Sequence, residues 1–199
     1  GDFHHPSWIE FDEEKRMQRI EHTINCVKLA KALAVKNIST EPGGPLSKKM
    51  SRETAMDLFV QGVSQVLPIA QKLGVKILVE PEPGLLLQTG FDFLQFISRI
   101  KSNNVALNFD VGHFHCVGED VPELIREMRS HIAHFHIEDI KNRVHEHLIP
   151  GDGSVNFKKI FSAIHDIGYD GFVTVELYPY VDNPVQAAKI ALKYLRGKT

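Results

Sequence analysis

Apolar positions along this chain alternate between two spacings. From Asp12 to Leu33, Ile20, Ile24, Val27 and the LAKAL stretch at 29–33 recur at helical intervals with charges between them, which predicts a first helix. AVKNIST (34–40) then reads as a short strand and EPGGP (41–45) as a loop. A second helix is predicted from Ser51 to about Leu73, closed by Gly74, with Pro68 as a kink or break inside it. KILVEPEP (76–83), VALNFD (105–110), IAHFHIED (132–139) and FVTVEL (172–177) are apolar, β-rich runs that read as buried strands. Helical patterns separate or follow them: Phe91 to Lys101, Val121 to Arg129 with Pro122 in its first turn, Asn156 to Ile167 before Gly168, and Pro184 to Leu195. IKNRVHEHLIPGDGS, ending at Ser154, reads as a polar loop.

Strand and helix therefore alternate, and near-continuous apolar strands between helices mean parallel strands covered by helices. Two architectures meet that description, the open doubly wound sheet and the (β/α)8 TIM barrel. No GxGxxG or Walker loop follows any strand. Instead an ionisable residue stands at the C-terminal end of four successive strands: Glu80, Asp110, His136 and Glu176. Barrel enzymes gather their reacting side chains at that face, from several strands at once, so the pattern favours the α/β TIM barrel. A complete barrel takes eight strands and roughly 250 residues. Five predicted strands in 199 residues, after an N-terminus that runs from HHP straight into a helix, suggest strands 4–8 of such a barrel. The expectation is one domain over residues 1–199 lacking its N-terminal βα units.

Composition narrows the function classes. A net charge of −2 and a pI of about 6.6 give no bulk positive surface for nucleic acid or an anionic membrane. No run approaches the ~18 apolar residues of a spanning helix. GDFHHPSWIEF at the start has neither the basic nor the apolar region of a signal peptide. Cys26 and Cys116 show no CxxC or disulfide spacing, which fits reduced thiols in a cytoplasmic protein. Open sheet edges in a five-strand chain would favour association into a homo-oligomer. Histidine is the one unusual feature: seven of the eleven lie between His113 and His147.

The four strand-end residues stand 30, 26 and 40 positions apart, each near one βα repeat plus loops. Three carboxylates and an imidazole around one mouth would repel and take up protons unless a cation joins them. Oxygen and nitrogen donors without thiolate suit Mn²⁺, Mg²⁺ or Co²⁺, and also Zn²⁺. Any one of these residues alone would more often be a helix cap or an ion-pair partner. Four at successive strand ends are harder to explain that way.

VEPEP, NFDVGHFH, AHFHIED, HLIPGDGSVNF and TVELYPY, in this order, resemble the xylose-isomerase-like TIM-barrel superfamily. That superfamily includes sugar-phosphate isomerases and epimerases, tagatose-3-epimerase-like enzymes, inosose dehydratase and endonuclease IV, the last related to AP endonuclease family 2. The resemblance runs from about Asp12 to the last helix and is specific for the superfamily rather than for a substrate. It implies Glu80, Asp110, His136 and Glu176 as metal ligands. Glu80 and Glu176 would also be the catalytic acid/base pair, moving a proton through a metal-stabilised enediolate. His113 matches a substrate-binding histidine, and Arg143, His147 and Glu82 are further candidates around the substrate. The implied partner is a small-molecule carbohydrate, phosphorylated or not.

Other residues weigh less. His115 reads as support, and His134 shares a strand face with His136 by the period of two. His4 and His5 follow the presumed third strand and are candidates for the barrel mouth. Trp8 could shield a sugar's apolar face or simply pack. Where endonuclease IV-like members carry DRH for a further zinc, the matching place reads RVH, with Arg143 at the aspartate's position, against a trinuclear zinc site. The rival readings are a keto-polyol (inosose-type) dehydratase, an endonuclease IV-like phosphodiesterase and a non-catalytic barrel fragment.

Overall fold

In a computed structural model of the chain, residues 5–198 are described. They form two compact units, divided between Leu107 and Asn108 within strand β3 (Val105–Asp110).

The first unit holds helix α1 (Glu13–Ala32), β1 (Asn37–Thr40), α2 (Arg52–Leu73), β2 (Lys76–Val79) and α3 (Gly90–Ile97). Each helix begins where a side chain satisfies an otherwise orphaned backbone N–H. Asp12 accepts from Glu14 N at 2.8 Å, Ser51 from Thr54 N at 3.0 Å, and Thr89 pairs with Asp92 in a capping box. The second helix runs through Pro68 to a left-handed Gly74. Strand pairing is parallel and follows chain order: Asn37–Thr40 lies against Lys76–Val79, and Ile77–Val79 against Val105–Leu107. Pairing in chain order without reversal is what the winding of a barrel requires.

The core of this unit is aromatic. Trp8 is 2% exposed and meets Phe59 edge-on, ring centroids 5.9 Å apart, while Phe59 stacks on Phe96 at 4.6 Å. The Trp8 indole N–H donates to Thr40 Oγ1 at 3.0 Å, so its one polar atom is satisfied inside. Trp8 is therefore a packing residue tying the entry segment to the end of β1, the second of its two expected roles.

The second unit holds the end of β3, then α4 (Val111–Cys116), α5 (Val121–Glu127), β4 (Ile132–Ile137), a hairpin of β5 (Asp139–Lys141) and β6 (Val144–Leu148), α6 (Phe157–Asp166), β7 (Val173–Val175) and α7 (Pro184–Leu195). β4 and β7 pair in parallel, His136 beside Thr174. Phe109, Phe114, Phe135 and Tyr169 form its aromatic core. Two elements depart from expectation. The segment expected to be a polar loop contains the β5–β6 hairpin, and the residues after Asp110 wind at once into α4. The hairpin turns on Asn142 and Arg143, both in the left-handed region (φ 55° and 58°), as the favoured two-residue turn demands.

Replacing Trp8 by Ala is expected to destabilise the protein by about 3–5 kcal/mol, the range for a large buried aromatic. Chemical denaturation followed by far-UV circular dichroism measures it. A loss well under 1 kcal/mol would mean that Trp8 does not anchor this core.

Candidate metal and proton-transfer site

Asp110 fixes the geometry of the site in the second unit. It is the last residue of β3, 0% exposed, and its Oδ1 accepts from His113 N at 2.7 Å, capping α4. One carboxylate thus ends the strand and starts the helix. Its Oδ2 is buried and finds no hydrogen bond among the described residues. Burial raises this carboxyl's pKa, but the neighbouring His113 charge, the adjoining Glu138 side chain and the His113 backbone N–H outweigh that, leaving it below the usual carboxylate range.

His136, from β4, and Glu176, just past β7, stand with Asp110. One donor atom from each lies within 4.8 Å of the other two. His136 Nδ1 is 3.3 Å from Asn108 Nδ2 and 3.9 Å from Glu176 Oε2. The period of two places His134 on the same strand face; its ring lies edge-on to His136 and its Nε2 is 2.9 Å from Thr174 Oγ1. A buried carboxylate oxygen without a hydrogen bond, a second carboxylate and an imidazole suit a divalent cation: the donor set fits the group that the resemblance implies.

A second cluster adjoins it. His145 and His147 point inward from β6, their Nε2 atoms 2.7 Å apart, and His113 meets His145 edge-on at 4.5 Å between ring centroids. His147 Nδ1 is 3.3 Å from Glu176 Oε2, and the Tyr178 ring lies 4.4 Å from the His147 ring. Nitrogens of His113, His145 and His147 come within 4.8 Å of one another. The absence of DRH thus leaves this loop rich in donors, now all imidazoles. His147 pays for its place in backbone strain: its φ of 48° costs a non-glycine residue about 1–2 kcal/mol.

Glu138 escaped the sequence reading. It is 0% exposed, and its carboxylate shares the Asp110–His113 neighbourhood. A Cβ on Gly112 would overlap the Glu138 carboxylate, which is why the DVGH motif needs glycine there. The only sequence signal was an acid two residues past His136, in a run already read as a strand end.

Each remaining candidate has its own surroundings. Glu80 sits 8% exposed just beyond β2, its Oε2 accepting from Ser39 Oγ at 3.1 Å. Glu82 is half-buried in the turn that follows, its N–H bonded to Leu87 O at 3.0 Å. Arg143 is exposed at the hairpin tip with its guanidinium against Gly118, so it does not join the histidine cluster. His5 is exposed and pairs with Glu10 at 2.6 Å; His4 lies outside the described residues. His115 is depressed by burial and by the Arg143 charge. Cys116, pushed up to about 11 by burial, is no thiolate nucleophile at neutral pH.

The family model described as xylose isomerase-like TIM barrel matches residues 2–198, and the chain belongs to that family. An inosose dehydratase of Clostridium perfringens (strain 13 / Type A) is 27% identical over 171 residues, covering 76% of this chain and 58% of the relative. One from Geobacillus thermodenitrificans (strain NG80-2) is 27% identical over 168 residues, covering 75% and 56%. The chain thus spans somewhat over half the length of these curated relatives. Among solved structures, a D-tagatose 3-epimerase-like protein superposes with a TM-score of 0.84 at 25% identity, covering 96% of this chain and 73% of that one. The structure described as IOLI protein with a binding zinc atom gives 0.81 at 23% identity, covering 96% and 74%, a likeness of fold. Among the described residues no helix is long and apolar enough to cross a membrane.

Burial and the His113 charge push the His145 pKa down to about 4. A depressed histidine contributes stability that is complete above its unfolded value near 6.5 and is lost as pH falls toward 4. In metal-free protein, NMR titration should find His145 neutral down to about pH 4, and His145→Gln should flatten the fall of stability between pH 6.5 and 4. An ordinary His145 titration near 6.5 would contradict this.

Proposed function

We propose that this chain carries the metal-binding and proton-transfer groups of a sugar or sugar-phosphate isomerase/epimerase. The observation that carries the reading is the convergence of Asp110, His136 and Glu176 within 4.8 Å at strand ends, with a buried Asp110 oxygen left for a further partner. Glu80 is proposed as the fourth ligand; the match of its VEP motif to the family, and its place just past β2, support that role.

A divalent cation held there (Mn²⁺, Mg²⁺, Co²⁺ or Zn²⁺) would supply positive charge for the oxygens of a bound ketose as negative charge develops on them. The residues do the rest. A C–H bond beside the carbonyl breaks and its proton passes to one glutamate carboxylate. Its electron pair moves toward the carbonyl oxygen. The other glutamate returns a proton to the opposite face as the carbonyl re-forms, giving epimerisation, or to the adjacent carbon while the neighbouring hydroxyl proton passes to the former carbonyl oxygen, giving aldose–ketose isomerisation. Glu176 is suited to this because His147 Nδ1, 3.3 Å from its Oε2, can orient it. His113 and His147 are the proposed hydrogen-bonding groups for substrate hydroxyls, with Glu82 and Arg143 as further proposed substrate-binding residues.

A second reading has its own support, the inosose dehydratase names of the curated relatives. In that case the same proton abstraction is followed by departure of a β-hydroxyl as water. A phosphodiesterase reading has less to support it at a net charge of −2.

The test is incubation with Mn²⁺ in D₂O, separately with a ketohexose, a ketose phosphate and an inosose. Deuterium entering a carbon without loss of mass as water supports isomerisation or epimerisation; water loss supports the dehydratase. Glu176→Gln and Glu80→Gln should each lower kcat by about 10²–10⁴, the usual worth of a positioned acid or base. Full activity in either variant would end the two-glutamate reading. Mn²⁺ at a hundred times its Kd should raise stability by about 2.7 kcal/mol, read as a shift in Tm.

A further inference from the structure

The strained His147 is held by something, and the neighbouring hydrogen bonds identify it. Asp139 opens β5 and is 1% exposed, yet it lies outside the ligand sets described above. Its carboxylate accepts three backbone N–H groups: Ile140 N at 2.9 Å and Val155 N at 3.0 Å on Oδ1, and Gly151 N at 2.8 Å on Oδ2. Its backbone is paired with Leu148, the residue after His147. A Cβ on Gly153 would overlap the same carboxylate, so the GDG turn is folded tightly around it. Ser154 fastens the turn again, N and Oγ both donating to Ile140 O at 2.8 and 3.0 Å.

These contacts grip the exit of β6. Ile149, next but one to His147, is pinned by its N–H to Tyr180 OH at 3.2 Å and packs on Ala187 and Ala191. A left-handed residue that is neither glycine nor asparagine persists only where its surroundings over-determine it. Here they do so on both sides, through the hairpin before it and the Asp139-bound turn after it.

We propose that Asp139 is a positioning residue: by gathering the turn at 149–155 onto its carboxylate, it holds His147 against Glu176. Its importance for turnover rests on the role proposed above for Glu176; the positioning itself does not. A charge is needed because three N–H donors converge on the two oxygens, and hydrogen bonds to an ionised acceptor are about twice as strong as neutral ones. An asparagine would turn its NH₂ group toward one of those donors. The residue therefore acts at a distance, shaping the imidazole that faces the proposed proton-transfer carboxylate.

The test reads the imidazoles directly, in metal-free protein, so it stands or falls apart from any activity. Long-range ¹H–¹⁵N spectra should show a ring proton shared between His145 and His147, whose Nε2 atoms are 2.7 Å apart. Asp139→Asn should abolish that signal and shift His147, leaving His22 and His165 in place. Ser154→Ala, which removes one fastening and keeps the carboxylate, should move the same two histidines in the same direction by less. If Asp139→Asn is folded and His147 is unmoved, the proposal fails. If that variant does not fold, Ser154→Ala decides: displaced His145 and His147 signals support positioning, and unchanged ones overturn it. Shifts spread over all histidines would also overturn it, as a global effect. Loss of the His147 signature in a protein without isomerase activity would leave the positioning intact and end only the functional reading.

Discussion

The second unit depends on one constraint, the burial of an ionised carboxylate at the end of β3. A fully buried Asp110 is tolerable only if its charge is answered. Part of the answer is local: the His113 N–H caps α4 through it. The rest comes from imidazoles and, in the proposed function, from a cation. Because the same oxygen ends a strand and begins a helix, Gly112 and His113 have fixed directions. Gly112 admits the Glu138 carboxylate, and His113 turns its ring to His145.

From that anchor the histidines sort by what holds them. His136 rides on a parallel strand whose register with β7 is regular, so its placement follows from the sheet. His145 and His147 ride on a two-strand hairpin, which by itself has marginal stability in water. Their precision has to come from elsewhere, from the Asp139-bound turn and from packing of Ile149 on α7. The proposed reaction thus draws on two kinds of support, rigid strand ends for the ligands and a pinned hairpin for the groups around them.

The strand ends were legible because an apolar run that stops at an acid or histidine is a plain pattern, and the family motifs fall on those places. The helix after Asp110 was not, although Asp110 three residues before His113 is the spacing of a cap. It is six residues long, too short for helical periodicity to register. The β5–β6 hairpin was hidden for another reason. Its turn uses Asn-Arg rather than Asn-Gly, and its strand VHEHL carries histidines where an apolar face would ordinarily announce a strand. Glu138 was missed because nothing local distinguishes a buried carboxylate from a surface one. Only tertiary contact with Gly112 does.

In the proposed site one divalent cation binds through the carboxylates with a single imidazole, His136. Pulsed electron paramagnetic resonance of the protein with one equivalent of Mn²⁺ tests it most directly, since ¹⁴N modulation counts bound imidazoles. The account predicts one coupled histidine nitrogen, lost in His136→Gln. Coupling to two or three imidazoles that survives that substitution would place the metal among His113, His145 and His147 and contradict the claim.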